Sequence, residues 1–210
     1  ADPSRPAPFV SMPKQMAVFA QSNYWCRVLE CSTASGLNDL IAQDKLRDFI
    51  RVNEALHNQS LSDISQDIIN RGARVIFIAG PSSSGKTTFA NRLSIQLRVG
   101  GLEPRLISLD DFYRNRDELP LEADGMPDLE ALDALDVPLF RELIAQLLSG
   151  QEAAMPRFDF GVQKRKPQRV MMKVTANQPL IIEGIHALNP ALHSGFDQKM
   201  ICKIYISQLT

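Results

Sequence analysis

The sequence predicts an α/β fold in which a mostly parallel β-sheet lies between two layers of helices, with a small helical appendage in front. Two observations lead to this prediction. Short apolar runs typical of buried strands alternate with amphipathic helical runs from residue 74 onwards, and a glycine-rich loop joins the first strand to the helix that follows. We therefore predict a linker and helical appendage over 1–71 and a main domain over 72–210.

The appendage begins irregularly. Four prolines among residues 1–13 argue against an early helix, and residues 16–29 fit either a helix or a strand followed by a helix. Apolar residues then recur at three- and four-residue spacing, which predicts helices over 40–57 and 61–70. Gly72 is expected to end the second of these helices.

The main domain alternates strands and helices. The predicted sheet strands are apolar runs rich in β-branched residues, at 74–79, 104–109, 179–185 and 201–207. The predicted helices show one apolar face and end at glycines, at 87–98 and 136–148. Two more strand candidates flank a basic turn and predict a hairpin, at 155–160 and 169–175.

The loop from Gly80 to Thr87 matches the pattern G-x-x-x-x-G-K-[ST] at every fixed position. Gly80 and Gly85 let the backbone turn tightly and approach phosphate oxygens, while the loop amides and the helix N-terminus supply partial positive charge. Lys86 is expected to reach the β and γ phosphates, and the Thr87 hydroxyl to bind Mg²⁺. The sequence thus predicts the fold of P-loop NTPases, with ATP and Mg²⁺ as cofactors.

The residues expected to hold the nucleotide form one continuous set apart from Pro81. They are Gly80, Ser82, Ser83, Ser84, Gly85, Lys86, Thr87 and Thr88. A serine-rich turn that matches the motif by chance is the alternative. The strand before the loop and the helix after it are the context that the motif requires, and they favour the nucleotide site.

Two carboxylates follow strands of the predicted sheet. Asp110 comes directly after the second strand, where it can accept the proton of an attacking hydroxyl, or else cap the next helix. Glu183 ends the strand at 179–185, where it either serves Mg²⁺ or lies at the surface. Lys86 and Asp110 are therefore the predicted catalytic residues, and Thr87 and Glu183 the predicted metal ligands.

The hairpin combines aromatic and basic residues. Phe158 and Phe160 precede Lys164 and Arg165. Such a hairpin can stack a nucleobase or hold phosphates. Alternatively, the phenylalanines cover the sheet and the basic tip is solvated, which the burial habits of these residue types favour.

Composition excludes some classes of partner. The chain has 210 residues, 44% of them hydrophobic, with 23 basic and 24 acidic side chains, so bulk charge favours neither a nucleic acid nor a membrane surface. No apolar run approaches the length of a bilayer span. Cys26, Cys31 and Cys202 show no metal-binding spacing, which is typical of reduced thiols in a cytoplasmic protein. The oligomeric state is left open.

Four motifs in order resemble the phosphoribulokinase/uridine kinase family. They are Ala79 to Thr88, Ser-Leu-Asp-Asp-Phe-Tyr from Ser108 to Tyr113, Pro-Arg-Phe-Asp-Phe from Pro156 to Phe160, and Ile-Glu-Gly-Ile-His from Ile182 to His186. The resemblance covers about 75–210. It is strongest to the bacterial branch in which a uridine-kinase-like domain follows a segment related to the N-terminal region of threonyl-tRNA synthetase, and residues 1–70 resemble the remnant that joins those two parts.

The resemblance implies roles for individual residues. Asp110 would be the general base that deprotonates the acceptor hydroxyl, and Glu183 would serve Mg²⁺. Four residues match positions that surround the nucleoside or, for the last, hold its ribose hydroxyls: Tyr113, Phe158, Phe160 and Glu130.

Two departures from the family pattern stand out. Uridine kinases carry a His in the hairpin where this chain has about Gln163, which puts uracil recognition in question. The chain also ends before the arginine-rich lid of the family, so we expect it to be part of a longer protein, to bind ATP, and to transfer phosphate slowly or not at all.

The leading prediction is an ATP-dependent kinase of a small-molecule hydroxyl, such as the 5′-hydroxyl of uridine. A sugar phosphate or pantothenate is an alternative acceptor. A nucleotide-binding regulator without kinase activity is an alternative of a different class. The chain has no N-K-x-D guanine signature, and Gly184 rather than a second acidic residue accompanies Glu183, which argues against a GTPase and a motor ATPase.

Overall fold

The computed structural model describes residues 12–119, 128 and 130–207. It divides into two compact units, one of residues 1–58 with 209–210 and one of residues 59–208. This division falls within a helix, whereas the sequence places a domain boundary at residue 72; the assignment of domains stays a prediction. No helix in the described ranges is long and apolar enough to cross a bilayer.

The first unit is helical. Helix α1 runs from Pro13 to Val28, α2 from Ala34 to Ala42, and α3 begins at Leu46. Residues 16–29 fit either a helix or a strand followed by a helix, and the helix is confirmed, since α1 covers them up to Val28. Pro13 occupies the first turn of α1, where a missing N–H costs nothing, and the prolines before it lie outside the described residues. The expected helix over 40–57 is wrong in its start, since the chain turns at Asp44, whose φ of 56° is left-handed.

Helix α3 spans Leu46–Arg71 without interruption, whereas the sequence predicts two helices over this stretch. No glycine or proline lies between the two predicted segments, so nothing stops the first helix from continuing into the second. The end is as expected. Gly72 takes a φ of 62°, and the Ala73 amide donates to the Ile68 carbonyl at 3.1 Å, which closes a Schellman turn.

The second unit is built on a four-stranded parallel sheet. Its strands are β1 (Val75–Ala79), β2 (Arg105–Ser108), β7 (Leu180–Glu183) and β8 (Ile201–Tyr205). Their order across the sheet is β2-β7-β1-β8. The predicted parallel sheet is confirmed, and β1 lies at its centre with all five residues buried.

Alternate residues of β1 point to two separate apolar cores. Val75, Phe77 and Ala79 belong to one core, and Ile76 and Ile78 to the other. The first core includes the buried face of α5 (Val137–Leu148), and the second includes buried residues of α4 (Lys86–Val99) and of the C-terminal part of α3. The fold is therefore a three-layer α/β fold of the P-loop type, as predicted. A short helix α6, Pro190–His193, follows β7.

The predicted hairpin is antiparallel but consists of two separate ladders. The outer pair is β3 (Ala153–Met155) with β6 (Val170–Met172), and the inner pair is β4 (Phe158–Asp159) with β5 (Lys164–Arg165). The single strand predicted over 155–160 is wrong, because Pro156 has no N–H for the ladder and separates β3 from β4. The strand predicted over 169–175 is shorter in the structure, where β6 covers Val170–Met172. Strand β5 lies before Pro167, in the segment predicted as the turn.

Gly184 brings the ends of β7 and β2 together. A Cβ at Gly184 would lie 2.7 Å from the Cβ of Leu109, a buried residue that directly follows β2. Because a Cβ atom moves only with its backbone, no side-chain rotation can relieve this contact. The glycine is thus required for the close approach of the two strand ends.

We expect Gly184→Ala to destabilise the chain by about 1–3 kcal/mol, since the added methyl group forces the backbones apart. Urea unfolding followed by circular dichroism measures this change. Gly161→Ala is the matched control, because its added Cβ would meet only a side-chain oxygen of Asp159, at 3.2 Å, and no backbone atom. Equal losses in the two variants would contradict this account.

Candidate active site

The glycine-rich loop forms a cradle between β1 and α4. Ser83 has a φ of 59° and Gly85 a φ of 85°, so the backbone turns sharply at both residues, and the Ser84 amide donates to the Pro81 carbonyl at 3.3 Å. Gly85 is also the N-cap of α4, which places the first N–H groups of that helix at the loop. The Lys86 ammonium lies across the loop and donates to the Pro81 carbonyl at 2.7 Å. The cradle therefore presents N–H donors and one full positive charge.

Gly80 is required where the loop begins. A Cβ there would collide with the Ile206 carbonyl oxygen and lie 2.7 Å from the Ser84 hydroxyl. The Ser84 hydroxyl is buried and has no hydrogen-bond partner within the described residues. A buried hydroxyl without a partner is costly, and a phosphate oxygen in the cradle is the kind of group that would satisfy it. The loop fits a polyphosphate.

A serine joins the ends of two strands beside the cradle. Ser108 of β2 pairs with Glu183 of β7, and the Ser108 hydroxyl donates to Glu183 Oε1 at 2.9 Å. The same hydroxyl accepts from the Asp110 amide at 3.3 Å. Glu183 is only 9% exposed and lies opposite Ile78 of β1 in the ladder, so its carboxylate stands at the strand ends next to the cradle.

The environment of Asp110 raises the pKa of its carboxyl above the ordinary value. Burial in the cleft is the largest cause, the negative charge of Glu183 adds to it, and Asp111 contributes in the same direction. The charge of Lys86 opposes the shift. Because the carboxylates of Asp110 and Glu183 repel each other, a cation bound near them beside the phosphate cradle would lower the electrostatic energy.

The residues present fit a magnesium ion. Thr87 has a hydroxyl in the first turn of α4, and Glu183 has carboxylate oxygens at the end of β7. Hard oxygen ligands are those that Mg²⁺ prefers, together with phosphate oxygens of a nucleotide. Among residues 12–119, 128 and 130–207, no group of three or more His, Cys, Asp or Glu side chains forms a metal site. Phosphate oxygens would therefore have to complete the coordination.

The neighbouring Asp111 has a different role from that of Asp110. Its Oδ2 binds Arg157 at 2.6 Å and its Oδ1 accepts from the Phe158 amide at 3.1 Å. The sequence left open whether an aspartate caps the turn after β2. Ser108 is the residue that caps it, so the alternative in which an aspartate caps this turn is wrong, and Asp111 contacts the hairpin instead.

A cleft of about 260 Å³ opens in front of Asp110. Its lining residues come from the loop, from the segment after β2 and from the hairpin: Ser82, Lys86, Asp110, Tyr113, Arg114, Arg116, Glu130, Phe158, Phe160, Gln163 and Ile185. Seven of the predicted site residues thus line one cleft, among them all four predicted to contact the acceptor. The other predicted residues do not line it: Gly80, Ser83, Ser84, Gly85, Thr87, Thr88 and Glu183.

Three further residues line the cleft without having been predicted: Arg114, Arg116 and Ile185. Arg114 directly follows Tyr113 and Arg116 comes two residues later, and their closeness to a carboxylate at a strand end is a signal that could have indicated them. Ile185 follows the strand that carries Glu183 and has an ordinary apolar side chain, so nothing in its sequence context marks it.

Three aromatic rings form one wall of the cleft. The ring centroids of Tyr113 and Phe158 are 5.8 Å apart, those of Tyr113 and Phe160 6.3 Å, and those of Phe158 and Phe160 4.9 Å. Tilted and edge-to-face contacts at these separations are favourable. Phe160 is 60% exposed, so the wall offers apolar surface to a flat ligand.

The basic residues of the hairpin bind acidic or carbonyl groups of the chain itself. Arg165 donates to the Tyr113 and Phe112 carbonyls and to Asp136. Lys164 pairs with Asp117 at 2.9 Å in an exposed ion pair. These contacts favour the interpretation in which the basic tip is structural and solvated rather than a phosphate site.

The sequence model of the phosphoribulokinase/uridine kinase family matches residues 75–207. The chain belongs to this family. The matched region begins at β1 and includes the cradle, Asp110, the hairpin and Glu183, so every element of the cleft lies within it.

Curated relatives are similar over the same region. The uridine kinase of Halobacterium salinarum is 35% identical over 114 residues, 54% of this chain and 48% of that protein. The uridine kinase of Deinococcus deserti is 34% identical over 114 residues, 54% of this chain and 53% of that protein. Each match extends over only about half of the relative.

Solved structures share the fold. A possible uridine kinase from Bacillus stearothermophilus superposes with a TM-score of 0.58 and 24% identity, covering 72% of this chain and 82% of that one. A putative fructose transport system kinase from Silicibacter sp. TM1040 gives a TM-score of 0.52 and 24% identity, covering 63% and 67%. At these identities the likeness concerns the fold alone.

We expect Asp110→Asn to raise the melting temperature slightly at neutral pH. A carboxyl whose pKa is raised by folding is less stable when charged in the folded chain, and this cost is present at pH above its folded pKa. The difference should shrink as the pH falls through the ordinary aspartate value of about 4 and vanish well below it, where the carboxyl is protonated in both states. Thermal unfolding with a chelator present measures it.

Asp111→Asn is the control next in sequence, with the opposite expectation. It weakens the contact with Arg157 and should cost about 0.5–1.5 kcal/mol. Melting shifts of the same sign in both variants would show that Asp110 does not carry the unfavourable charge.

Proposed function

We propose that the chain transfers the γ-phosphoryl group of ATP to a hydroxyl of a small molecule, with a nucleoside such as uridine as the acceptor. The observation that carries this proposal is that Lys86 and Asp110 line the same cleft as the aromatic wall of Tyr113, Phe158 and Phe160. A phosphate site, a base and a surface for a flat ligand thus adjoin one another.

The phosphate side of the cleft would position and neutralise the nucleotide. The amides of the cradle and the Lys86 ammonium are donors at fixed positions, and such donors stabilise charge on a transferring phosphoryl group. Thr87 and Glu183 would hold Mg²⁺, which supplies further charge neutralisation when bound. Positioning by this chain brings the two reactants together.

Asp110 would act as the general base. Its carboxylate accepts the proton of the acceptor hydroxyl as the hydroxyl oxygen bonds to the γ-phosphorus, and the bond from that phosphorus to the bridging oxygen breaks to release ADP. The raised pKa makes the carboxylate a better proton acceptor than an ordinary aspartate. The Ser108 hydroxyl holds the Asp110 amide, which fixes the backbone that carries the base.

The acceptor side of the cleft suits a nucleoside. The three rings can contact a planar base, and Glu130, at the same cleft, can accept hydrogen bonds from ribose hydroxyls. The relatives named uridine kinase support this choice of acceptor.

We expect Asp110→Asn to lower phosphoryl transfer by about 10²- to 10⁴-fold, because the general base is lost. ATP affinity should change by no more than about threefold, since the cradle is intact. Transfer of radiolabelled phosphate to uridine, a sugar phosphate and pantothenate measures the first quantity. Calorimetric titration with a non-hydrolysable ATP analogue measures the second.

Asp67→Asn is the matched control, since Asp67 forms an exposed ion pair with Arg71 on α3, and the variant should leave both quantities unchanged. Transfer that is insensitive to Asp110→Asn would refute the assignment of the base. ATP binding with no transfer to any acceptor would favour a nucleotide-dependent regulator, and transfer to another acceptor only would replace the nucleoside.

A further inference from the structure

Helix α1 ends in a turn that brings Cys26 and Cys31 together. The Cys31 amide donates to the Cys26 carbonyl at 2.9 Å, and the Glu30 amide donates to the Arg27 carbonyl at 3.1 Å. These are the two hydrogen bonds of a Schellman turn, in which Glu30 is the left-handed residue with a φ of 54°. The two cysteines therefore occupy the two positions of this turn whose side chains commonly contact each other.

The same turn also ends helices α3 and α4, where the paired positions are apolar. Ile68 and Ala73 form the pair at the end of α3, and Leu97 and Leu102 form the pair at the end of α4. All four residues belong to one apolar core or pack against it. Because the backbone geometry is the same at the end of α1, the two cysteine side chains lie next to each other in place of an apolar pair.

The separation of Cys26 and Cys31 suits a disulfide. With 2.9 Å between the bonded nitrogen and oxygen, standard backbone dimensions limit the distance between the two Cα atoms to at most about 6.8 Å. Disulfides join residues whose Cα atoms lie about 4.4 to 6.8 Å apart. Both cysteines carry free thiols and are half-buried, so a small reagent can reach them.

The start of α2 packs against the turn and holds it in place. A left-handed φ is unfavourable for a residue with a side chain such as Glu30, and it persists only where the surrounding structure fixes it. A Cβ added to Gly36, in the first turn of α2, would lie 2.8 Å from the Glu30 carbonyl oxygen and 3.4 Å from the Cα of Cys31. The Thr33 hydroxyl accepts from the Gly36 amide at 3.1 Å and caps α2. The two thiols are thus positioned before any bond forms between them.

We propose that Cys26 and Cys31 form a reversible disulfide, with a small-molecule disulfide such as oxidised glutathione as the oxidant. This redox site lies in the first unit and goes beyond the proposed function. Disulfides in cytoplasmic proteins of mesophiles are usually transient and often sense the redox state, which agrees with a pair that is reduced at rest. The bond would join the end of α1 covalently to the segment that leads into α2.

The reaction consists of two thiol–disulfide exchanges. The thiolate of one cysteine attacks a sulfur of the small disulfide, which forms a mixed disulfide and releases one small thiol. The thiolate of the other cysteine then attacks the protein sulfur of the mixed disulfide, which forms the bond between Cys26 and Cys31 and releases the second small thiol. Two electrons pass from the protein thiols to the small disulfide, and the two thiol protons end on the released thiols.

The effective concentration of the two thiols for each other tests the proposal. It is obtained by equilibrating the chain with mixtures of oxidised and reduced glutathione, blocking the remaining thiols by alkylation, and quantifying the disulfide by mass spectrometry. Trypsin cleaves after Arg27, between the two cysteines, so the disulfide joins two separate peptides. We expect a value at least about tenfold higher in the folded chain than in concentrated urea, because the turn positions both thiols.

The double variant Cys31→Ser with Ser32→Cys is the matched control. It moves one thiol by a single residue to an exposed position outside the paired sites of the turn. The effective concentration in the folded chain should fall by at least about tenfold. The value in urea should stay within about twofold, since the loop to be closed has nearly the same length.

Three results would overturn the proposal. They are equal effective concentrations in the folded and unfolded chain, a value that the double variant leaves unchanged, and a mixed disulfide with glutathione that accumulates instead of the bond between the cysteines. None of these measurements uses phosphoryl transfer. Failure of this inference is therefore distinguishable from failure of the proposed function.

Discussion

The hydrogen bond from the Ser108 hydroxyl to Glu183 is the contact on which the cleft depends. It joins the ends of β2 and β7, and the same hydroxyl accepts from the Asp110 amide. A buried carboxylate needs such a partner, since burial without one is costly. Gly184 permits the approach, because any side chain there would meet Leu109. One hydroxyl thus joins the Glu183 carboxylate to the backbone of Asp110.

The two adjacent aspartates, Asp110 and Asp111, lie in different environments and make different contacts. Asp110 points into the cleft and is held at an electrostatic cost beside Glu183, whereas Asp111 anchors the hairpin through Arg157 and the Phe158 amide. The anchored hairpin brings Phe158, Phe160 and Gln163 to the cleft. Asp111 therefore positions hairpin residues that line the cleft, whereas Asp110 lines the cleft itself.

Local patterns predicted most of the second unit correctly. The cradle, β1 and α4 follow from fixed motif positions and short-range periodicity, and the strand ends that carry Asp110 and Glu183 follow from apolar runs. Errors occurred where local signals were neutral. No glycine or proline separates the two apolar segments of α3, so the sequence does not show whether they form one helix or two. The turn at Asp44 likewise contains no glycine or proline that would indicate it. Pro156 and Pro167 could have indicated that the hairpin is divided into two ladders. Which strands pair in each ladder is seen only in the structure.

By itself the sequence determined the parallel sheet, the phosphate cradle and the identity of the two carboxylates, because each depends on residues adjacent in the chain. Only the tertiary structure decided which side chains share the cleft. Arg116 and Gln163 are 47 residues apart, and their contact exists because the hairpin folds back over the segment after β2. Hydrogen bonds across such separations depend on the path of the backbone, which no local pattern encodes.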